Sequence, residues 1–109
     1  MLAGIFRDRV MIQHRTVIPK ATGVDETWAN VETRAARVIP LDARARAEYA
    51  QLRSEVTHVV EFRGRVSLAL GDDRLVWMTG GSSVLELADP PRYTTGRANC
   101  TRVAVREVI

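Results

Sequence analysis

Apolar and polar residues alternate in short runs along most of this chain, the two-residue period of half-buried antiparallel strands. The clearest run is Ser54-Glu55-Val56-Thr57-His58-Val59-Val60-Glu61-Phe62-Arg63. Val56, His58, Val60 and Phe62 fall on one face, with Thr57, Glu61 and Arg63 on the other and Val59 among them, which predicts a strand over about 55–63. Near the start, Val10, Ile12 and His14 oppose Arg9, Met11, Gln13 and Arg15, predicting a first strand over about 8–16. The β-branched residues Val31, Thr33, Val38 and Ile39 predict a second strand over about 28–39 that Pro40 terminates. Between these two, residues 17–27 carry Pro19, Gly23 and Asp25 among small polar residues, the composition of a long connecting loop. Loops of this kind are often exposed and partner-facing, which makes Lys20, Asp25 and Glu26 candidate partner-facing residues.

Only one stretch changes period. Asp42 is placed as a helix N-cap, and Ala43, Ala45, Ala47, Tyr49, Ala50 and Leu52 are mostly good helix formers, with Ala45, Tyr49 and Leu52 along one face. A helix of about three turns between the second and third strands follows. Val66-Ser67-Leu68-Ala69-Leu70 reads either as a short strand or as the apolar wall of a loop that Gly71-Asp72-Asp73 closes in a turn. Arg74-Leu75-Val76-Trp77-Met78 and Ser83-Val84-Leu85-Glu86-Leu87 flank Thr79-Gly80-Gly81-Ser82, a hairpin whose second arm Asp89-Pro90-Pro91 stops. Residues 98–106 give the last strand. The pattern predicts a mainly β fold, a small antiparallel barrel or sandwich of about six strands with one short helix inserted between strands two and three. The expected core comprises Val10, Ile12, Trp28, Val38, Val56, His58, Val60, Phe62, Trp77 and Leu85.

The length of 109 residues fits one domain, 1–109, with one modest core. Apolar residues at 46% and charged residues at 27% are ordinary globular values, which argues against global disorder and fibrous repeats. No apolar run approaches the roughly 20 residues of a membrane helix, and the first residues mix charge with apolar side chains too early for a signal peptide, so a cytoplasmic chain with no membrane partner is expected. The net charge of +3 comes from a surplus of arginine, Lys20 being the only lysine. Arginine binds carboxylate and phosphate through a planar fork, so the surplus suits subunit contacts or a DNA backbone, and equally a GC-rich genome.

Catalytic chemistry finds no constellation here. His14 and His58 lie mid-strand on apolar faces, the setting of packed, hydrogen-bonded histidines rather than of a base or ligand. Asp72-Asp73 falls in a turn, where aspartate is favoured locally, and a metal reading would need more carboxylates nearby. Gly80-Gly81-Ser82-Ser83 lacks the lysine and following helix of a phosphate loop, and the single Cys100 has no partner for a disulfide or a metal site. No catalytic residue, metal ligand or cofactor is expected. A small basic barrel that binds single-stranded nucleic acid is a competing class, but an aromatic content of 6% is thin for a base-stacking platform.

Several blocks along nearly the whole chain resemble the phage head-tail joining family, the head completion, head closure or stopper proteins of tailed phages. Gly4 followed by Phe6-Arg7-Asp8-Arg9-Val10 and Ile12-Gln13 is similar to the family's opening. Glu26-Thr27-Trp28 with Val31, then Val38 and Pro40-Leu41, is similar to its second block. Ser54-Glu55-Val56-Thr57-His58 is the most specific piece, and Leu85-Glu86-Leu87-Ala88-Asp89-Pro90 with Arg97 and Arg106-Glu107-Val108 matches the closing segments. Ala35 stands where the family often has a second tryptophan, Val105 where it usually has its cysteine, and 64–73 lacks its usual proline-glycine wording.

The resemblance implies a structural protein and not an enzyme, a β-barrel subunit at the virion neck that passes through the host cytoplasm during assembly. It implies a cyclic ring of six or twelve copies, a portal or adaptor ring on the head side, a tail terminator or tail-completion protein on the tail side, and non-specific contact with packaged double-stranded DNA. The family's insertion between strands two and three corresponds here to about 41–54 and faces the central channel in some members, which makes Arg44, Arg46, Tyr49 and Arg53 the candidate DNA-facing residues. A ring would stack these arginines at one height against phosphates without reading bases. A tail-terminator or tail-tube component is the remaining alternative within the virion.

Overall fold

A computed structural model describes residues 6–51, 55–79, 81–94 and 99–108. Its elements are β1 (Asp8–Lys20), β2 (Gly23–Pro40), α1 (Ala43–Gln51), β3 (His58–Arg63), β4 (Asp73–Trp77), β5 (Ser83–Leu87), β6 (Arg92–Thr94) and β7 (Cys100–Val108). All pairings are antiparallel, in the order β3-β2-β1-β4-β5-β7-β6. A further pairing of β3 with β7 joins the two sides of the sheet, so six strands run in a ring and β6 pairs with β7 on its β5 side, beyond the end of β5.

The alternation read from the sequence turns inward around this ring. Val10, Ile12, Ala36, Val38, Val60, Phe62, Leu75, Leu85, Leu87, Val103 and Val105 form one buried cluster, against which Trp77 packs half-buried. Val56 is buried just before β3. Residues 64–72 form no strand, so the apolar stretch after Gly64 is the wall of a loop. Val66 and Leu68 close one end of the core from it. That loop is pinned by Thr101, which is fully buried: its hydroxyl accepts from the Val66 N–H at 2.8 Å and donates to the Gly64 carbonyl at 2.8 Å. A buried hydroxyl with both roles filled avoids the desolvation cost of an unpaired polar group.

Asp8 performs a similar service at the start of β1. Its carboxylate accepts from the Val38 N–H at 2.9 Å, the Trp77 indole N–H at 3.1 Å and the Thr79 hydroxyl at 3.0 Å, tying β1 to β2 and β4. Partial burial alone would raise its pKa, but these three donors together outweigh it and hold the carboxyl below its ordinary value.

The expected loop over 17–27 is instead the end of a long hairpin. β1 and β2 pair continuously from Asp8↔Ala36 to Lys20↔Gly23 around a turn at Ala21 and Thr22, with Gly23 at φ 138°. β4 covers β1 only to His14 and β3 covers β2 only from Ala36, so the rest of the hairpin projects as a two-stranded arm. Lys20, Asp25 and Glu26 therefore lie on strands, not in a loop. The short β6 is a seventh strand that the pattern did not show.

Trp28 lies outside the core, and the register gives the reason. Ile12 faces Glu32 while Gln13 faces Asn30, leaving Val31 as an extra residue in a β-bulge. Simple alternation from Ala36 and Val38 would bring Trp28 inward, but the inserted residue moves it to the outward face beside Arg15. There it is half-buried, with the Arg74 guanidinium 4.3 Å from its ring centroid. Phe62→Ala is accordingly expected to lower stability by about 3–5 kcal/mol in urea unfolding. Trp28→Ala, losing mainly the cation–π contact, should cost about 1 kcal/mol. Equal losses for the two variants would contradict this placement.

Candidate channel-facing and partner-facing surfaces

The helix is the first candidate surface. Asp42 caps it, its carboxylate accepting from the Ala45 N–H at 2.8 Å. Pro40 ends the preceding strand, and the chain turns at Leu41, whose N–H donates to the Thr57 carbonyl at 3.0 Å. α1 has no buried residue, so it lies on the body as a surface element. Arg44 pairs with Glu48 at 3.7 Å, one turn on, and both are largely exposed. Arg46 is exposed, and Tyr49 is half-buried at a cleft of about 400 Å³ that it lines with Glu48, Asp89, Arg92, Arg102 and Ala104. Arg53 lies outside the described residues. The helix thus brings Arg44, Arg46 and Tyr49 together on one exposed element, with Tyr49 turned towards β6 and β7.

His58 connects this surface to the core. It is buried, edge-on to the Trp77 ring at 5.5 Å between centroids, and its Nδ1 lies 2.8 Å from the Thr57 hydroxyl. That hydroxyl also accepts from the Glu107 N–H at 2.7 Å, so Thr57 ties the imidazole to β7. Burial lowers the imidazole pKa below its ordinary 6.5. Glu107 opposes the shift and the Arg46 charge adds to it. His14, in contrast, is exposed past the end of the core and meets Asp73 at 2.8 Å.

The arm is the second candidate surface. Lys20 and Asp25 form an ion pair near its tip, and Arg15 reaches Glu26 at 3.9 Å and Asp72 at 3.3 Å. The charged residues expected to face a partner are therefore paired with each other or with the body. Val17, Ile18 and Val24 are the uncommitted side chains, 45%, 50% and 68% exposed. The arm's base is latched by the Arg15 N–H to the Asp72 carbonyl at 2.7 Å and by a row in which Arg74 donates to Gln13 and Gln13 donates to Asn30.

A third surface was not visible along the sequence. On the outward face of β2, β3, β7 and β6, Arg37 is opposite Glu61, Glu61 opposite Arg102, and Arg102 opposite Arg92, with Arg63 one pleat along β3. The only local trace was charge at alternate positions, as in Glu61-Phe62-Arg63, and nothing in the chain order shows that these strands are neighbours.

Among the described residues, no three His, Cys, Asp or Glu side chains gather as for a metal ion, and no helix is long and apolar enough to cross a membrane. The features that stand out are a capped surface helix, a projecting arm and an arginine-rich sheet face. Together they define a small antiparallel β protein with three distinctive exposed surfaces. The model of the phage head completion protein family matches residues 1–103, and the chain belongs to that family. It has a structural role at the head–tail region of a phage particle. The fold is similar to the solution structure of protein SF1141 from Shigella flexneri 2a, with a TM-score of 0.77 at 24% identity over 98% of this chain and 96% of that one. A comparison with curated proteins yields no match.

The lowered His58 pKa has a definite sign in stability. The unfolded chain takes up the proton near pH 6.5 and the folded chain only at lower pH, so stability is full above 6.5 and declines as pH falls towards the folded value. Urea midpoints measured from neutral pH downwards should show this decline in the parent chain and a flatter profile in His58→Gln. Parallel profiles would remove His58 as its source.

Proposed function

We propose that this protein assembles as a cyclic ring at the head–tail interface of a tailed phage, closes the DNA-filled capsid below the portal or adaptor ring, and offers the surface to which the tail attaches. The observation that carries this reading is the family match over residues 1–103, joined to a fold whose most exposed parts are an arm and a helix. A ring needs two different patches on each subunit, one docking on the other around a closed circle. The projecting arm with its exposed Val17, Ile18 and Val24 is suited to be one of them. A two-stranded ribbon is only marginally stable by itself in water, so packing against a neighbour benefits the arm as well as the assembly.

In this reading the helical insertion faces the channel, and Arg44, Arg46 and Arg53 are repeated by every subunit as a belt. The belt meets phosphates without sequence preference, because backbone contacts position and do not specify. The exposure of Arg44 and Arg46 on a helix that buries no residue supports it, since neither is needed for the core.

Negative-stain electron microscopy of particles made without this gene, beside a complemented strain, tests the assignment. Separate heads emptied of DNA together with complete free tails are the expected result, and normal joined virions would refute it. Complementation by the R44Q/R46Q/R53Q variant should give a folded protein and joined particles that leak DNA. Full DNA retention would remove the channel role of the helix while leaving the joining role in place.

A further inference from the structure

Part of the surplus positive charge is gathered on one face of the sheet. Among the described residues no ion pair neutralises Arg37, Arg63, Arg92 or Arg102, all exposed on the outward face of β2, β3, β7 and β6. Glu61 is the one acid in register with them, and it stands between Arg37 and Arg102. Arg92 and Arg102 are directly opposite each other on adjacent strands. Like charges placed so cost stability, and an anion seated between the two guanidiniums would relieve that cost. The same two arginines line the cleft that Tyr49 and Glu48 of α1 and Asp89 border, so the sheet face and the helix form one continuous surface that carries both signs of charge at the cleft and arginine beyond it.

We propose that this arginine face, centred on Arg92 and Arg102, is a phosphate-binding surface for the backbone of double-stranded DNA. The proposal rests on the channel reading above and extends it from the helix to the sheet beside it. A second copy of the chain is a poor occupant, because most of its exposed carboxylates are already engaged: Asp25 with Lys20, Glu26 and Asp72 with Arg15, Glu48 with Arg44, and Glu86 with Arg106. A DNA duplex, with one charge per roughly 1.7 Å of axis, is dense enough to meet several of these arginines at once. Adjacent strands about 4.8 Å apart spread the guanidiniums across the surface rather than along one line, which suits a broad, sequence-blind contact. Arginine supplies the planar fork that pairs two N–H groups with two phosphate oxygens.

The test is an amide and arginine side-chain NMR titration of the full chain with a short DNA duplex at about 50 mM salt, together with fluorescence anisotropy at graded salt. The expected result is a shift pattern covering Arg92, Arg102, Arg63 and Arg37 as well as α1. R92Q/R102Q, with its spectrum otherwise preserved, should bind roughly tenfold more weakly and lose about 2 from the slope of log affinity against log salt. R92K/R102K should keep that slope. Shifts confined to α1 would overturn the sheet-face proposal and leave the channel reading intact. No shift anywhere, or unchanged affinity in R92Q/R102Q, would overturn it as well. Tighter binding of polyglutamate than of the duplex at the same arginines would replace DNA by an acidic protein partner.

Discussion

The pairing of β3 with β7 is the constraint on which the rest of this structure depends. Without it the chain would be an open sheet with one apolar face and two unprotected edges. With it, six strands enclose a shared core, and the alternating residues of each meet those of all the others. β7 carries more of this than any other strand, since its nine residues pair with β3 on one side and with β6 and β5 in succession on the other. Val103 and Val105 fill the interior, while Thr101 between Cys100 and Arg102 holds the 64–72 loop over the end of the core. A non-local contact of this kind has to close a loop of about forty residues, so the hydroxyl clip and the Asp8 hub matter as fixings of register as much as for their own energies.

The bulge at Val31 divides the β1–β2 hairpin into two parts. Below it, Val10, Ile12, Ala36 and Val38 belong to the core. Above it the ribbon leaves the body, its outward residues now including Trp28, and becomes an arm held at its base by Arg15, Arg74 and Asp72. One inserted residue therefore separates the core part of the ribbon from its projecting part, which is a recurrent use of bulges at the margins of sheets. The arm explains why the molecule extends 52 Å along one axis and only 31 and 28 Å along the others.

Membership of the phage head completion family and the distribution of charge agree in one respect. The interior is almost wholly apolar, with Thr101 and His58 as the buried polar residues among those described, both hydrogen-bonded. Charge that has been excluded from the core is available for contacts, and much of it is arginine, which loses less than lysine when it is desolvated at an interface. His58 shows the limit: burial, with the Arg46 charge adding to it and Glu107 opposing, disfavours the protonated imidazole.

By itself the sequence determined the elements whose signals are local. The two-residue alternation in 55–63 and 74–87, the Asp42 cap before an alanine-rich run and the Gly81 turn are consequences of backbone geometry within a few residues. They yielded the β-rich class and the helix between strands two and three. The resemblance of blocks such as Ser54-Glu55-Val56-Thr57-His58 also lay in the chain order alone. The tertiary structure decided which strands became neighbours and in what register. A bulge opposite Ile12 and Gln13 reversed the face of Trp28, a polar-looking stretch at 17–27 became strand because its partner was its own hairpin mate, and arginines from four separate strands came to share one face. None of these is encoded in local periodicity, because each depends on a pairing between residues distant in sequence, and pairing is settled by the closure of the core.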